Sequence, residues 1–390
     1  MARILFLEPF GGGSHQSLYR GWRKYSRYEI DVLELPAVHW KWRSRHASLT
    51  LAQMANQKVG SGVVYDAVVA SSMLNLPEWL GLADPVFRQT PCVVYFHENQ
   101  LTYPLSPGQT RDYHYAYSGI LSVISANQCW FTSLFHKEEF EKAAITWLRR
   151  MPDYPHLEEF EDAMQRSIVL SPGIDPPKKR EHLLAARQPD TEPVIGWVAR
   201  WEHDKRPEIF VEVVGRLLEE FEFKLVLLGQ TFTTEPDCLT DLINRAGDRI
   251  LHAGYVSSQA AYWSWLTRID LVVSTAAHEF FGIGILEAIH AGARPLLPNR
   301  LAYPELLRRC KLSSSIRLTY DSDEQLYEYL SDYLTDCQSV LDKPKLGTNI
   351  ESRAASIEFA ANQLNTDQFC WDRLAESYDN QISAIIEKAT

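Results

Sequence analysis

Two carboxylates, Glu279 and Glu287, lie eight positions apart around a loop that contains Gly282 and Gly284. The loop follows the apolar run 269–274, which is typical of a buried parallel strand, and it precedes residues of helical composition. A strand, a glycine-containing loop and a helix can bind anions, because free backbone N–H groups and the helix dipole point at the ligand. Carboxylates also accept hydrogen bonds from sugar hydroxyls. This combination predicts a sugar-nucleotide site; the alternatives are a helix-surface Glu287 and a Glu279 that only stabilises the helix dipole.

Arg200 and Lys205 lie five positions apart in the turn that follows another apolar run, 194–198. Both side chains bind phosphate oxygens, so the pair could hold a diphosphate from one side. A solvated charged turn is the simpler alternative. The second phosphate-type loop at 279–284 favours the diphosphate interpretation.

Three consecutive glycines, Gly11, Gly12 and Gly13, follow the first predicted strand. Such a turn lets the backbone approach a phosphate or a substrate, although it can also be purely structural. It is not G-x-G-x-x-G, and no acidic residue about twenty positions further on provides a clear ribose ligand. A nicotinamide-dependent oxidoreductase is therefore disfavoured.

His97, Glu98 and Asn99 stand at the C-terminal end of the predicted strand 92–97. Side chains at this position could orient hydroxyls or share protons with a reacting sugar. We expect them to be exposed in a cleft, although a lone histidine there can also be structural.

The segment 39–46 interleaves aromatic and basic residues, a mixture suited to stacking unpaired bases and contacting phosphates. A solvated face and an amphipathic membrane helix are the alternatives. The net charge of −11 argues against nucleic acid in general. However, residues 1–190 carry 20 basic and 20 acidic side chains, and all of the excess lies in residues 191–390, with 19 and 30. The acidic balance therefore weighs less against RNA binding by the first half.

A chain of 390 residues predicts two domains, and its 45% hydrophobic and 23% charged content is that of a soluble globular protein. No apolar run is long enough to cross a membrane, and the apolar start is too short for a signal peptide. Six cysteines without a C-x-x-C pair disfavour a metal site or a disulfide framework. We therefore expect a reducing, cytoplasmic location.

Short apolar runs alternate with helical patterns in both halves, which predicts two Rossmann-like, doubly wound α/β domains facing a central cleft. We expect an N-terminal acceptor domain at 1–175, a linker at 176–192, a donor domain at 193–355, and a helical segment at 356–390 that packs back toward the first domain. The predicted strands are 4–10, 63–70, 92–97, 129–132 and 168–170, then 194–198, 224–228, 250–253, 270–274 and 294–297.

Over nearly its whole length the chain resembles the GT-B glycosyltransferases of family 4. Within that family it is most similar to the enzymes that attach mannose to queuosine in the anticodon of tRNA. The matching segments are Gly11–His15, 39–45, 97–104, 111–113, 200–205, 229–233, 278–282 and 303–305.

The resemblance implies a retaining glycosyltransferase that uses GDP-mannose and queuosine-containing tRNA, with no metal and no stable membrane association. Arg200 and Lys205 would neutralise the leaving diphosphate, Glu287 would hold the ribose, and Glu279 would hold donor-sugar hydroxyls. His97 would lie near the anomeric carbon. The remaining donor contacts would come from Gly11, Gly12, Gly13, Phe280, Phe281 and Gly282, and the acceptor contacts from His15, Trp40, Lys41, Trp42, Arg43, Arg45, Glu98 and Asn99.

Two other functions remain open. A related enzyme could use a lipid or saccharide acceptor, in which case segment 39–46 would be a membrane-binding helix. A catalytically silent GT-B fold could act as an RNA-binding module, but the intact pairs 279/287 and 200/205 disfavour it.

Overall fold

The computed structural model describes residues 2–105, 108–185, 187, 192–230, 236–310, 317–341 and 364–389. By its internal contacts the chain divides into two compact units. Unit 1 consists of Met1–Asp175 and Phe369–Thr390, and unit 2 consists of Pro176–Gln368. The C-terminal segment thus belongs to the first unit.

Unit 1 is built on a six-stranded, fully parallel sheet in the order β2-β1-β3-β4-β5-β6. Its strands are β1 (Arg3–Glu8), β2 (Glu29–Glu34), β3 (Ala67–Ser71), β4 (Cys92–Phe96), β5 (Gln128–Phe131) and β6 (Ile168–Val169). The central strands are buried on both faces, as their continuous apolar sequences predict.

Helices cover both faces of this sheet. They are α1 (Gly13–Tyr25), α2 (Trp40–Gly60), α3 (Leu76–Leu82), α4 (Tyr113–Ser125), α5 (Leu134–Leu148), α6 (Leu157–Gln165) and, after unit 2, α14 (Trp371–Ala389), with a 3-10 turn at Pro85–Arg88. One core packs α2 to α6 against the sheet, and a second core packs α1 and α14 against the opposite face.

The C-terminal helix α14 is tied to α1 by a buried carboxylate. Asp379 accepts hydrogen bonds from Trp22 Nε1 at 2.8 Å and from the backbone N–H of Arg27 at 2.7 Å. Gly21 is required at this contact, because a Cβ there would overlap the Trp371 ring. We predict helical structure from residue 356, but residues 356–363 lie outside the described part of the chain.

Unit 2 also has a six-stranded parallel sheet, in the order β12-β11-β10-β7-β8-β9. Its strands are β7 (Val194–Val198), β8 (Lys224–Leu228), β9 (Ile250–Gly254), β10 (Leu271–Val273), β11 (Arg294–Pro298) and β12 (Thr319–Tyr320). The chain runs outward from β7 to β9 and then returns to β10 on the other side of β7. The strand order therefore reverses between β7 and β10, which is where α/β sheets bind ligands.

The helices of unit 2 are α7 (Arg180–Ala185), α8 (Pro207–Glu220), α9 (Asp237–Ala246), α10 (Gln259–Leu266), α11 (Ile283–His290), α12 (Tyr303–Arg309) and α13 (Asp323–Leu341). Short 3-10 turns occupy His203–Lys205 and Gly247–Arg249, and another lies at Asp367–Phe369 near the unit boundary. None of the helices in the described ranges combines the length and the apolar character that a membrane crossing requires.

The doubly wound α/β class is confirmed, with differences at strand ends. The first strand stops at Glu8 rather than residue 10, because Phe10 N–H turns back to bond Glu8 Oε1. The second predicted strand begins at Ala67 instead of residue 63. The edge strand β2 went unpredicted because its sequence, EIDVLE, contains no continuous apolar run, as expected for a half-buried strand.

Candidate active site

The predicted donor residues of unit 2 lie at the switch point of its sheet. Arg200 follows β7, and Glu279 follows β10, the strand hydrogen-bonded to β7. The carboxyl ends of adjacent parallel strands lie at the same sheet edge, so the topology brings these two loops together. The two loops are also bonded directly: the Asp204 carbonyl accepts the backbone N–H of Ala277 at 2.9 Å.

Lys205 is the centre of this site. Its ammonium group donates to the His278 carbonyl at 2.7 Å and to Glu279 Oε2 at 3.1 Å, and it lies 3.0 Å from Asp204 Oδ2. The side chain is 9% exposed, so these are partly desolvated, charge-assisted contacts. The lysine thus bridges the two loops.

Electrostatic interactions keep Lys205, Glu279 and Asp204 charged. Burial would lower the pKa of Lys205, but the carboxylates of Glu279 and Asp204 outweigh it and raise that pKa above its ordinary value. Burial likewise works against the Glu279 carboxylate, yet the lysine cation holds the pKa of Glu279 below its ordinary value. The same cation and Arg200 lower the pKa of Asp204 against the effect of burial. Lys205 and Glu279 therefore form an ion pair at neutral pH.

Arg200 is the more accessible cation of the site, with a side chain that is 41% exposed. It lies 3.3 Å from Glu202 and 3.7 Å from Asp204 Oδ2. Because Asp204 contacts both cations, it holds Arg200 and Lys205 on the same side of the loop. The two residues predicted to bind a diphosphate are thus brought together.

Glu287 lies just over one turn into α11, where Tyr262 of α10 donates a hydrogen bond to its Oε2 at 2.8 Å. Burial raises the pKa of Glu287 to about 7, against the opposing effect of the tyrosine hydrogen bond. Near neutral pH the group can therefore switch between a proton donor and a carboxylate that accepts hydroxyl hydrogen bonds.

Gly282 and two buried phenylalanines shape the loop between Glu279 and Glu287. Gly282 is the N-cap of α11 with φ of 91°, a left-handed conformation that favours glycine. Phe280 and Phe281 are buried, and Phe281 N–H donates to Glu279 Oε1 at 3.3 Å. The first-turn N–H groups of α11 are the backbone donors expected at such an anion site.

Unit 1 has its own cluster at the end of β1. The Glu8 carboxylate is completely buried and lies 3.1 Å from His15 Nδ1. The His15 ring stacks on the His97 ring, with centroids 3.8 Å apart, and His97 Nε2 lies 4.0 Å from the second Glu8 oxygen. Burial, and secondarily the neighbouring His15 and His136, lowers the pKa of His97 well below its ordinary value, so the ring is neutral at pH 7.

Two expectations for the strand-end residues need correction. We expect His97 to be exposed, but its side chain is only 6% exposed because the rings of Tyr95 and His15 pack against it. Asn99 is also buried, at 3%. His15, which the resemblance assigns to the acceptor, contacts Glu8 and His97.

Local contacts and backbone conformation explain why glycine occupies positions 11 to 13 at the start of unit 1. A Cβ at Gly11 would overlap the Glu34 side chain, and one at Gly12 would overlap Ala37. Gly13 has φ of 54° at the first residue of α1. The close backbone approach that the glycines predict is thus made, in this structure, to the end of β2 and to the residues just after it.

A cavity of about 330 Å³ in unit 1 unites four of the predicted acceptor residues. Trp40 and Arg45 line it from α2, and Glu98 and Asn99 line it from the loop after β4. Tyr115 of α4 completes one wall and accepts a hydrogen bond from Arg45 Nε at 3.0 Å. This size lies at the lower end of the ~300–1,000 Å³ typical of small-ligand pockets, so one nucleobase fits but an oligonucleotide does not.

The other predicted RNA contacts are on the exposed start of α2. Trp42 is 60% exposed, and the Lys41 ammonium group lies 5.7 Å from the Trp40 ring centre. Arg43 has a structural contact as well, since its Nε donates to the Pro36 carbonyl at 3.1 Å. Trp42 therefore offers the more accessible stacking surface of this segment.

Several groups of these sites give little or no signal in the sequence. Glu8 stands directly after an apolar run, and that position was its only signal. Asp204 was inside a recognised motif but had no assigned role. Tyr262 gave no local signal, because its contact with Glu287 depends on how α10 packs beside α11.

Comparisons with known proteins agree with this architecture. Residues 3–174 match the family described as tRNA-queuosine alpha-mannosyltransferase N-terminal, and residues 179–341 match glycosyl transferases group 1. A tRNA-queuosine alpha-mannosyltransferase from Drosophila melanogaster is 32% identical over 311 residues, which cover 78% of this chain and 81% of that relative.

Two solved structures share the fold at low identity. Sucrose-phosphate synthase from Thermosynechococcus elongatus has a TM-score of 0.65 and 15% identity, and covers 100% of both chains. HepE from Anabaena, in complex with UDP-glucose, has a TM-score of 0.60 and 16% identity, also over 100% of both chains. The fold and the donor-type loops define a glycosyltransferase of the GT-B class. The chain belongs to the tRNA-queuosine alpha-mannosyltransferase family.

Proposed function

We propose that this chain transfers mannose, with retention of configuration, from GDP-mannose to queuosine in the anticodon of tRNA. The observation that carries the proposal is membership of this family, supported by a cluster of charged residues at the predicted donor position. In that site Arg200, Lys205 and Glu279 meet at the switch point of the unit 2 sheet. The Drosophila relative that carries this activity in its name supports the choice of acceptor.

Charge on the leaving group sets the chemistry of the donor site. As the glycosidic bond breaks, negative charge accumulates on the diphosphate, and Arg200 and Lys205 lie where they can stabilise it. Glu279 accepts hydrogen bonds from donor-sugar hydroxyls, and the Glu287 carboxylate accepts those of the ribose. The acceptor hydroxyl loses its proton to the departing diphosphate, so no protein nucleophile is required.

We propose that the reaction needs no divalent metal, since two cationic side chains serve the diphosphate. Glu8, His15 and His97 place three potential ligand atoms within 4.8 Å of one another. However, the two imidazole rings are nearly parallel, at 19°, and stacked 3.8 Å apart. One ion at about 2.1 Å from both nitrogens could not lie in both ring planes, as imidazole ligation requires. This arrangement favours a hydrogen-bonding function for the cluster.

The acceptor is assigned to unit 1. The exposed aromatic and basic residues at the start of α2 suit an anticodon loop whose bases are unstacked, and the neighbouring cavity suits one extruded base. Since tRNA is the acceptor, we also place the enzyme in the cytoplasm.

The direct test is sugar transfer to purified tRNA. The protein is incubated with queuosine-containing or queuosine-lacking tRNA and, separately, with GDP-mannose, GDP-fucose, UDP-glucose and UDP-galactose, and the nucleosides are weighed by mass spectrometry. We expect queuosine to gain one hexose with GDP-mannose only. Glu279→Gln should abolish the gain, whereas Glu376→Gln, which changes an exposed carboxylate of α14, should not. Failure to modify queuosine with any donor would refute the proposal.

A further inference from the structure

The cavity of unit 1 has an acidic lining, which distinguishes it from a phosphate site. Glu98 and Glu78 both line it. Among the described residues that line it, Arg45 is the one arginine or lysine. That arginine is already neutralised, because it pairs with Asp112 at 3.0 Å and donates to Tyr115. The cavity therefore favours a cationic ligand over an anionic one.

Glu98 is the better placed of the two acids. It is half buried, and its Oε1 accepts a hydrogen bond from the neutral amide of Gln100 at 3.1 Å. Within the described ranges no lysine or arginine pairs with it. The loop that carries Glu98 is also held in place, since Ser72 Oγ donates to the Glu98 carbonyl at 3.3 Å. A partly desolvated carboxylate without a cationic partner attracts a ligand cation.

Asn99 adds a directed donor beside this carboxylate. Its Oδ1 accepts hydrogen bonds from Leu101 N, Thr102 N and Thr102 Oγ1 at 3.0–3.2 Å, which fixes the orientation of the amide. The opposite atom, Nδ2, is buried and has no hydrogen-bond partner among the described residues. An unsatisfied buried donor is costly, so a ligand oxygen that accepts from it would be favoured.

Aromatic side chains complete the recognition surface. Trp40 and Tyr115 line the cavity with ring centres 5.4 Å apart, and Phe96 and His114 also contribute to its walls. Such walls bind flat or cyclic apolar groups and exclude water. The complementary ligand is thus a base-sized group with one cationic nitrogen and at least one oxygen acceptor.

Resting on the proposed function, we infer that this cavity binds the queuosine side chain and that Glu98 pairs with its protonated amine. Queuosine is a 7-deazaguanosine whose aminomethyl group carries a cyclopentene diol. Its secondary amine is cationic at neutral pH, whereas guanosine at the same anticodon position has no such charge. Glu98 is therefore the residue that distinguishes the modified tRNA from its unmodified precursor, and Asn99 donates to an oxygen of the same nucleoside.

The test compares the affinity of three tRNAs for the full-length protein. They carry queuosine, guanine or aminomethyl-7-deazaguanine at the anticodon position; the last keeps a cationic amine but lacks the diol. We expect the wild-type protein to bind the queuosine tRNA at least about tenfold more tightly than the guanine tRNA, with the aminomethyl tRNA between them. Glu98→Gln should bring the affinity for the aminomethyl tRNA close to that for the guanine tRNA, and should weaken binding of the queuosine tRNA by the same factor.

Controls separate this inference from effects on folding. Glu376→Gln should keep the wild-type order of affinities, and thermal unfolding should show that Glu98→Gln remains folded. A second variant, Ser118→Phe, fills the cavity from α4 without changing Glu98, and should remove the preference for queuosine entirely.

The outcomes also separate the inference from the function. If the wild-type protein glycosylates queuosine tRNA but both variants keep the wild-type preference, the assignment of the cavity is overturned and the function stands. If the wild-type protein transfers no sugar to queuosine tRNA, the proposed function itself fails. A reduced preference in Glu98→Gln and a lost preference in Ser118→Phe, with active wild-type protein, support the inference.

Discussion

Lys205 Nζ lies 3.1 Å from Glu279 Oε2, so the cation assigned to the diphosphate is paired with the carboxylate assigned to the sugar. The three N–H bonds of the ammonium group are matched by Glu279, the His278 carbonyl and Asp204. A phosphate oxygen can therefore bind Lys205 only by replacing one of these partners. Replacement of Glu279 would at the same time make its carboxylate available to sugar hydroxyls, which couples the two halves of donor recognition.

The ion pair of Lys205 and Glu279 should affect both the stability and the activity of the protein. Lys205→Met leaves the buried Asp204 and the partly buried Glu279 without their nearest cation, and we expect the free energy of unfolding to fall by about 3 kcal/mol. We also expect the transfer rate to fall at least about a hundredfold, because charge on the leaving group is no longer stabilised. Urea unfolding and initial-rate kinetics measure the two effects.

The double variant Lys205→Met/Glu279→Gln provides the control. It removes one unpaired carboxylate and should recover part of the lost stability but none of the activity. Equal stability of the single and double variants would contradict a coupled pair.

The raised pKa of Glu287 predicts that donor binding depends on pH. Its pKa is about 7 in the folded protein and ordinarily 4.5, so the folded state holds more protons between these values. Its contribution to stability is present below pH 4.5 and is lost as the pH rises through 7. Ribose hydroxyls favour the ionised form, so affinity for GDP-mannose should rise up to roughly tenfold from pH 6 to pH 8. Titration calorimetry at several pH values measures this affinity.

Glu287→Gln is the matched comparison, because it keeps the shape and remains neutral. The variant should bind GDP-mannose more weakly than wild type does, with an affinity that does not depend on pH. Its thermal stability relative to wild type should improve from pH 5 to pH 8. The two phosphates of GDP-mannose do not titrate in this range. An unchanged pH profile in the variant would assign the titration to another group.

Glu8 is predicted to position the imidazoles of unit 1. Glu8→Gln removes the charge that holds His15 Nδ1, and with it the ordered stack of His15 on His97. We expect kcat to fall at least about tenfold, the cost of a weakened charge-assisted hydrogen bond, with KM for GDP-mannose unchanged. Glu29→Gln is the control, since it alters a surface ion pair with Arg3 at the opposite end of the neighbouring strand. An increase in KM without a change in kcat would argue against positioning.

Trp42 is predicted to stack on an anticodon-loop base. Trp42→Ala should weaken tRNA binding about tenfold, since base–aromatic stacking contributes roughly 1–3 kcal/mol. Affinity for GDP-mannose should not change. Leu49→Ala, which also truncates an exposed apolar side chain of α2, should leave tRNA binding intact. Fluorescence anisotropy with labelled tRNA gives both affinities, and equal losses in the two variants would rule out specific stacking by Trp42.

The fold class and the donor loops could be predicted from sequence because their signals are local. Buried parallel strands are continuous apolar runs, and the polar residues that follow such runs must lie at the carboxyl edge of a sheet. Arg200, Lys205, Glu279 and Glu287 were identified in this way. The edge strand β2 lacked that apolar signal and was missed.

The pairings inside the sites could not be predicted in the same way. Lys205 and Glu279 are 74 positions apart, and they meet only because β10 returns to the free side of β7. The contact of His15 with His97, the burial of Glu8 and the cavity beside Glu98 likewise depend on strand order and helix packing. The sequence by itself determined which residues stand at the ends of the strands. The tertiary structure decided which of them meet, because desolvation and pairing depend on neighbours that are distant in the chain.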